Sequence, residues 1–248
     1  MTNFSAITIS CFKAYDVRGE LGVTLDEPIS YRIARAFAQI LKTNNTTKRP
    51  TIVIGSDIRP SSHSLKLAAI QGITDAGVDV IDLGMTGTEE VYFATSHYNT
   101  IGGIEVTASH NPINYNGLKM VRENSRPISA DTGLAEVRAL AESGNFIQSK
   151  KGSITQNTDK TAYIDKLMSF IDTSKFLPKK IVINSGNGSA GPVIDTLEVR
   201  LAGSPIELLK IHHQPDGNFP NGIPNPMIIA NQAATRDAVI AHKADFGV

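Results

Sequence analysis

Residues 51–83, TIVIGSDIRPSSHSLKLAAIQGITDAGVDVIDL, decide the fold class. Thr51 to Gly55 is a short β-branched run and reads as a buried strand. Ser61 to Ala76 follows with Leu65, Ala69, Ile73 and Ala76 on one helical face, and Gly77 is its stop. Val78 to Leu83 is the next strand. Strands that alternate with helices imply mostly parallel sheets with helices on both faces.

The same grammar extends in both directions. Pro28 to Lys42 places Ile29, Ile33, Phe37, Ile40 and Leu41 at helical spacing, with Asp26 as the cap. Ile101 to Val106 is a further strand, and Ser129 to Leu140 is a helix that closes this half. Near residue 150 the composition turns polar, from Ser149-Lys150-Lys151-Gly152-Ser153 onward, which marks a domain boundary. Beyond it the pattern repeats about 128 positions later. Lys179 to Asn184 is a strand, a Gly-rich loop and a helix from 190 to 202 follow, and Ile206 to Ile211 is the next strand. The expected architecture is α/β, with two similar three-layer α/β/α units over residues 1–150 and 151–248 and mostly parallel, mixed sheets. Ala244 to Val248 matches the strand at 101–106, so the loop that follows that strand in the first unit has no counterpart in the second. The second unit is therefore expected to be truncated.

Composition narrows the function. The chain has 248 residues, 41% of them hydrophobic and 19% charged, as in a soluble globular protein. Its formal net charge is zero and it has no basic run, which disfavours nucleic acid or an anionic membrane as partner. One cysteine, Cys11, precludes an internal disulfide and suits a reducing compartment. No secretory signal or apolar span of about 20 residues is present, so a cytoplasmic location is expected.

The chemistry concentrates in residues 106–121, VTASHNPINYNGLKMV. A strand ends, and two turn signals, Asn111-Pro112 and Asn116-Gly117, precede the next apolar run. In open parallel sheets ligands bind beyond the carboxyl ends of the strands, where Ser109 lies. Ser109 is either a polar turn residue or a nucleophile, and a hydroxyl needs a base, a metal or a modification to become one. A chain turned at Asn116-Gly117 brings Lys119 back beside Ser109, where an ammonium suits an anion. His110 is a candidate proton carrier or a solvated loop histidine.

Competing motifs are weaker. No G-x-S-x-G elbow surrounds Ser109 or Ser189, which speaks against a serine hydrolase. Gly186-Asn187-Gly188-Ser189-Ala190-Gly191 fits G-x-G-x-x-G, but the next strand ends in Lys210-Ile211-His212-His213 with no ribose-binding acid, so tight strand-to-helix packing explains it better. Asp57-Ile58-Arg59 reads as a structural ion pair at a helix start. Arg18 is either a bidentate phosphate clamp or a surface partner of Asp16. His212 and His213 have no converging ligands at a metal-site interval.

Taken together, Thr107 to Pro112 with Asn116-Gly117-Leu118-Lys119, Tyr15-Asp16-Val17-Arg18-Gly19, the Gly186 loop, and Pro215 to Pro220 with Pro224-Asn225-Pro226 resemble the amino-terminal half of a phosphohexomutase of the phosphoglucomutase/phosphomannomutase superfamily. Tyr115-Asn116-Gly117 and the Phe219 to Pro226 stretch are most similar to the bacterial phosphomannomutase branch. The resemblance implies an isomerase that exchanges mannose 6-phosphate and mannose 1-phosphate through phosphorylated Ser109 and a hexose 1,6-bisphosphate, for GDP-mannose supply. It implies Mg²⁺ bound to the Ser109 phosphate, with the remaining ligands beyond Val248. It gives Arg18 and Lys119 to charge and substrate handling, Tyr15 to substrate binding, and His110 to proton transfer. The family's acidic metal loop and its third and fourth domains have no match here, so the chain by itself is expected to be inactive. Glucose phosphates as substrates, or a non-catalytic anion-binding module, are the alternatives.

Overall fold

The computed structural model describes residues 4–248 and divides into two compact units, which part between Thr158 and Asp159. The division falls past the polar stretch at 150, because Ile154–Gln156 adds a strand to the first sheet.

The first unit runs β1 (Val17–Glu20), α1 (Glu27–Thr43), β2 (Thr51–Ser56), α2 (Ser62–Asp75), β3 (Asp79–Met85), α3 (Thr88–His97), β4 (Gly102–Val106), β5 (Tyr115–Arg122), α4 (Leu134–Ser143) and β6 (Ile154–Gln156). Asp26 caps α1 by accepting from the Ile29 amide, and Gly77 takes a positive φ after α2, both as the sequence leads one to expect. The helix expected over 129–140 is interrupted. A 3₁₀ turn at Ala130–Thr132 precedes Gly133 at φ +124°, and only then does α4 begin.

The sheet order is β1-β5-β4-β2-β3-β6. Strands β4, β2, β3 and β6 are parallel, whereas β5 is antiparallel to both β4 and β1. Along β2 the side chains alternate between two layers, as strand geometry requires. Ile52 and Ile54 join Ile33, Phe37, Leu65 and Ile73 of α1 and α2 in one core. Val53 faces the other way, onto Val91 and Ala94 of α3. The helices thus sandwich the sheet. The chain crosses from β2 out to β3 and then back over β2 to β4 on its other side, and that reversal opens a crevice beyond the carboxyl ends of β2 and β4.

The second unit repeats the scheme with α5 (Thr161–Met168), β7 (Lys179–Asn184), α6 (Ala190–Arg200), β8 (Ile206–Ile211), α7 (Ala233–His242) and β9 (Phe246–Gly247). Its strands are all parallel in the order β8-β7-β9, which reproduces β3-β2-β4 of the first unit. The proline-rich stretch from 212 forms no helix or strand until a 3₁₀ turn at Ile229–Gln232.

Candidate active site

Ser109 sits just past the end of β4, in the loop that leads to β5. Its backbone takes φ +54°, a left-handed conformation that costs a non-glycine residue about 1–3 kcal/mol, and it is exposed. The hydroxyl lies 3.2 Å from His110 Nδ1, and both side chains face solvent.

The loop is tied to the sheet from several directions. Its most buried support is Arg59, whose side chain is fully buried. Arg59 Nη2 donates to the carbonyls of Ser109 (2.9 Å) and Asn111 (2.6 Å), and Nη1 to those of Pro112 (2.8 Å) and Tyr115 (3.3 Å). The carboxylate of Asp57 lies 3.5 Å from Arg59 Nε. Asp57 Oδ2 also accepts from the Thr107 hydroxyl (2.7 Å), and Thr107 Oγ1 in turn accepts from the Ser109 amide (2.8 Å). Asp57 Oδ1 accepts from the Arg59 amide and from Ser62 Oγ, which ties the same acid to the first turn of α2. At the far limb, fully buried Asn116 donates to Ser61 Oγ (2.8 Å) and Ser62 Oγ (2.9 Å). The ion pair expected at Asp57-Arg59 is therefore present, but its larger consequence is the fixing of the Ser109 loop.

Two expectations about geometry change. The chain does not turn at Asn116-Gly117. The turn occupies residues 109–114, and Asn116 and Gly117 already lie in β5. Consequently Lys119 pairs across the ladder with Glu105 instead of lying opposite Ser109, and among the described residues no hydrogen bond or ion pair joins Lys119 to Ser109. Gly117 is in the strand for a steric reason, since a Cβ there would collide with the Val17 carbonyl oxygen of β1.

Arg18 lies opposite Gly117 in β1, and the Gly117 carbonyl accepts from the Thr107 amide. Arg18 and Thr107 therefore occupy one cross-strand row, and Lys119 points to the same face two positions along β5. Arg18 Nη2 pairs with Asp16 at 3.0 Å, the surface-partner arrangement, while its Nε is buried without a hydrogen bond among the described residues. Burial, chiefly, and the nearby positive charge of Arg18 push the Arg59 guanidinium below its ordinary pKa, and Asp57 opposes them. Arg18 and Arg59 are thus close enough for each to feel the other's charge. Tyr15 projects into solvent with 74% of its surface exposed.

Beneath the loop lies a group that sequence reading missed. Glu105 of β4 is completely buried. Its Oε2 accepts from Thr86 Oγ1 at 2.6 Å, and among the described residues Oε1 has no hydrogen-bond partner. Desolvation, with further contributions from Asp57, Glu90 and Glu89, pushes its carboxyl well above the ordinary range, against the Thr86 hydrogen bond. Burial thus favours the protonated form of Glu105 beneath the site. A charged residue inside an otherwise apolar strand was the available signal.

The Mg²⁺ that the resemblance implies has few donors in this chain. Among the described residues no group of three His, Cys, Asp or Glu side chains could hold a metal ion. Asp57, the acid nearest the loop, is already committed to Thr107, Ser62 and the Arg59 amide. These residues do not make a magnesium site.

In the second unit the glycine loop serves a different purpose from the packing expected. Asn187 is buried at φ +54°, and its amide nitrogen donates to the His212 carbonyl while Nδ2 donates to the Gln214 carbonyl. A Cβ on Gly191 would collide with the His213 carbonyl oxygen. The loop is shaped to grip the proline-rich segment. A Ser185–His213–Asp195 line of hydrogen bonds (3.3 and 2.8 Å) also lies here. The Gly186, Asn187 and Gly188 amides, which an oxyanion would need, are already donating elsewhere.

The fold and site define an α/β protein with a polar, serine-bearing loop anchored at a topological switch point. Residues 10–148 match the family described as phosphoglucomutase/phosphomannomutase, alpha/beta/alpha domain I, and residues 161–248 match its domain II. The chain belongs to the phosphoglucomutase/phosphomannomutase family. It is 54% identical over 245 residues to a phosphomannomutase of Escherichia coli, covering 97% of this chain and 53% of that protein, and 53% identical to the phosphomannomutase of Vibrio cholerae, covering 97% and 52%. Among solved structures, a phosphoglucomutase/phosphomannomutase family protein from Burkholderia thailandensis superposes with a TM-score of 0.87 at 33% identity, over 97% of this chain and 52% of that one. The chain spans about half the length of the curated relatives it matches.

Proposed function

We propose that this chain supplies the phosphoryl-carrying half of a phosphomannomutase, with Ser109 as the residue that holds the phosphoryl group between sugar 6-phosphate and sugar 1-phosphate. The observation that carries the reading is the exposed, backbone-strained Ser109 on a loop tied down through four of its carbonyls. Phosphoryl transfer needs positioning and charge neutralisation more than covalent chemistry from the protein, and a serine on a fixed loop suits the first need. Names of relatives at 53–54% identity support mannose over glucose phosphate.

In this reading Ser109 Oγ gives its phosphoryl group to a hexose 6-phosphate, and the resulting hexose 1,6-bisphosphate returns its other phosphoryl group to the serine. His110 Nδ1, 3.2 Å from Oγ, accepts or returns the hydroxyl proton as the serine is re-phosphorylated or released. Arg18 and Lys119 face the sugar phosphate from β1 and β5, and exposed Tyr15 contacts the sugar.

Intact-mass spectrometry of the purified chain after incubation with glucose 1,6-bisphosphate tests the reading. One added phosphoryl group, mapped to Ser109 and absent from Ser109→Ala, is the expected result. A chain that stays unmodified at every bisphosphate concentration overturns it and leaves an anion-binding module.

A further inference from the structure

The geometry points to Asp57 and Arg59 acting as one positioning device that holds the Ser109 backbone at both of its peptide groups. On one side, Arg59 Nη2 donates to the Ser109 carbonyl. On the other, Asp57 accepts a hydrogen bond from the Thr107 hydroxyl, which orients the Thr107 oxygen to accept from the Ser109 amide. A residue gripped at its amide and its carbonyl loses its freedom in φ and ψ together. That grip keeps Ser109 at φ +54°, where an unsupported serine would relax.

The chemistry of the two side chains suits this task. A guanidinium presents five donors in a rigid plane and can span several carbonyls, whereas an ammonium is a point charge on a flexible stem. The four carbonyls that Arg59 reaches, at 109, 111, 112 and 115, define the whole course of the loop. Asp57 is two residues away at the end of the same strand, and it neutralises the buried cation while doing its own share of the positioning. The bonds from these side chains to the loop run to backbone carbonyls and to the Thr107 hydroxyl. Both act through the backbone, and the device fixes where Oγ points.

As a statement about phosphoryl transfer, this inference rests on the phosphoserine reading, so its test has an arm that does not. In the 248-residue chain, Arg59→Lys keeps the charge and loses the fork, and Thr107→Val removes one hydroxyl at nearly constant shape. Amide hydrogen exchange should speed up about tenfold or more at Asn111 and Tyr115 in Arg59→Lys, and at Ser109 in Thr107→Val, with the amides of β2 and β3 unchanged. Phosphorylation of Ser109 by glucose 1,6-bisphosphate should slow about 100-fold at saturation in Arg59→Lys, with the half-saturating concentration little altered. Added methylguanidinium should restore part of that rate in Arg59→Ala and none in Thr107→Val. Loop amides that exchange as slowly in both variants as in the parent would overturn the inference, as would an unchanged saturating rate. If the parent itself takes up no phosphate, the mutase reading falls, and the exchange measurements still decide whether Asp57 and Arg59 hold the loop. Should Arg59→Lys unfold, Thr107→Val alone carries that decision.

Discussion

The central strands of the two units, opening at Thr51 and Lys179, are 128 positions apart, and this spacing sets Arg59 against Asn187. Both residues follow the central strand of their unit, both are nearly inaccessible to solvent, and both hold a neighbouring loop by its carbonyls. They differ in what they hold and how. Arg59 fixes the loop after β4 with a charged fork and four bonds. Asn187 fixes the segment after β8 with its backbone amide and carbonyl and two side-chain bonds, to the Gln214 carbonyl and from Asn221 Nδ2. One structural position has thus been given two chemistries. The charged version sits under the loop that needs an exact backbone, and the neutral version under a segment that only needs to be kept in place.

The largest test of that contrast is Arg59→Met. Removing the buried cation leaves Asp57 uncompensated and four carbonyls without a donor, and we expect a loss of about 3–5 kcal/mol in urea denaturation. Asn187→Ala should cost less, about 1–3 kcal/mol, with faster amide exchange confined to the segment 212–221. Equal losses for the two variants would break the comparison. Helix capping sharpens it further. Asp26 caps α1 through its side chain, whereas Ser189 at the start of α6 makes no such bond. Asp26→Ala should therefore cost about 1 kcal/mol and Ser189→Ala close to none, both read from urea midpoints.

The smallest effect concerns Glu105, which has no buried acid opposite it in β9. Burial raises its folded pKa above the ordinary 4.5, so its proton stays on in the native state where the unfolded chain has already released it. Stability is then complete below the unfolded pKa and declines as pH climbs toward the folded value. Glu105→Gln cannot ionise and loses that decline. Its melting temperature relative to the parent should rise from pH 4 to pH 8, and a constant difference would show that Glu105 is already ionised in the fold.

The β-α-β core was legible because its signals are local: strong periodicity in α2, β-branched runs in β2 and β3, and a glycine stop at Gly77. The repeat was legible through the spacing of two such runs. Helix α3 was not, since Thr88-Glu89-Glu90 and Phe93 give it little apolar periodicity, and its buried side is short. At the site, Ser109 stood out as a serine past a strand between turn signals. Asn116-Gly117 carries a turn signal yet lies in β5, where the close approach of β1 requires Gly117, and this sets Lys119 across from Glu105. The role of Arg59 was out of reach, because its partners lie some fifty residues along the chain and are backbone oxygens, which leave no mark in the sequence. Glu105 carries the same lesson, its partner Thr86 lying on another strand's end.

The antiparallel strand β5 has a consequence in time. It joins β4, its neighbour in sequence, to β1, where Val17 meets Leu118 across most of the first unit. Pairings between such distant segments form late, after shorter loops have closed. The serine's surroundings therefore come together only when the chain's beginning has docked on its middle. A nascent or misfolded chain would display Ser109 as an ordinary serine, and its reactivity would report that the unit had finished folding.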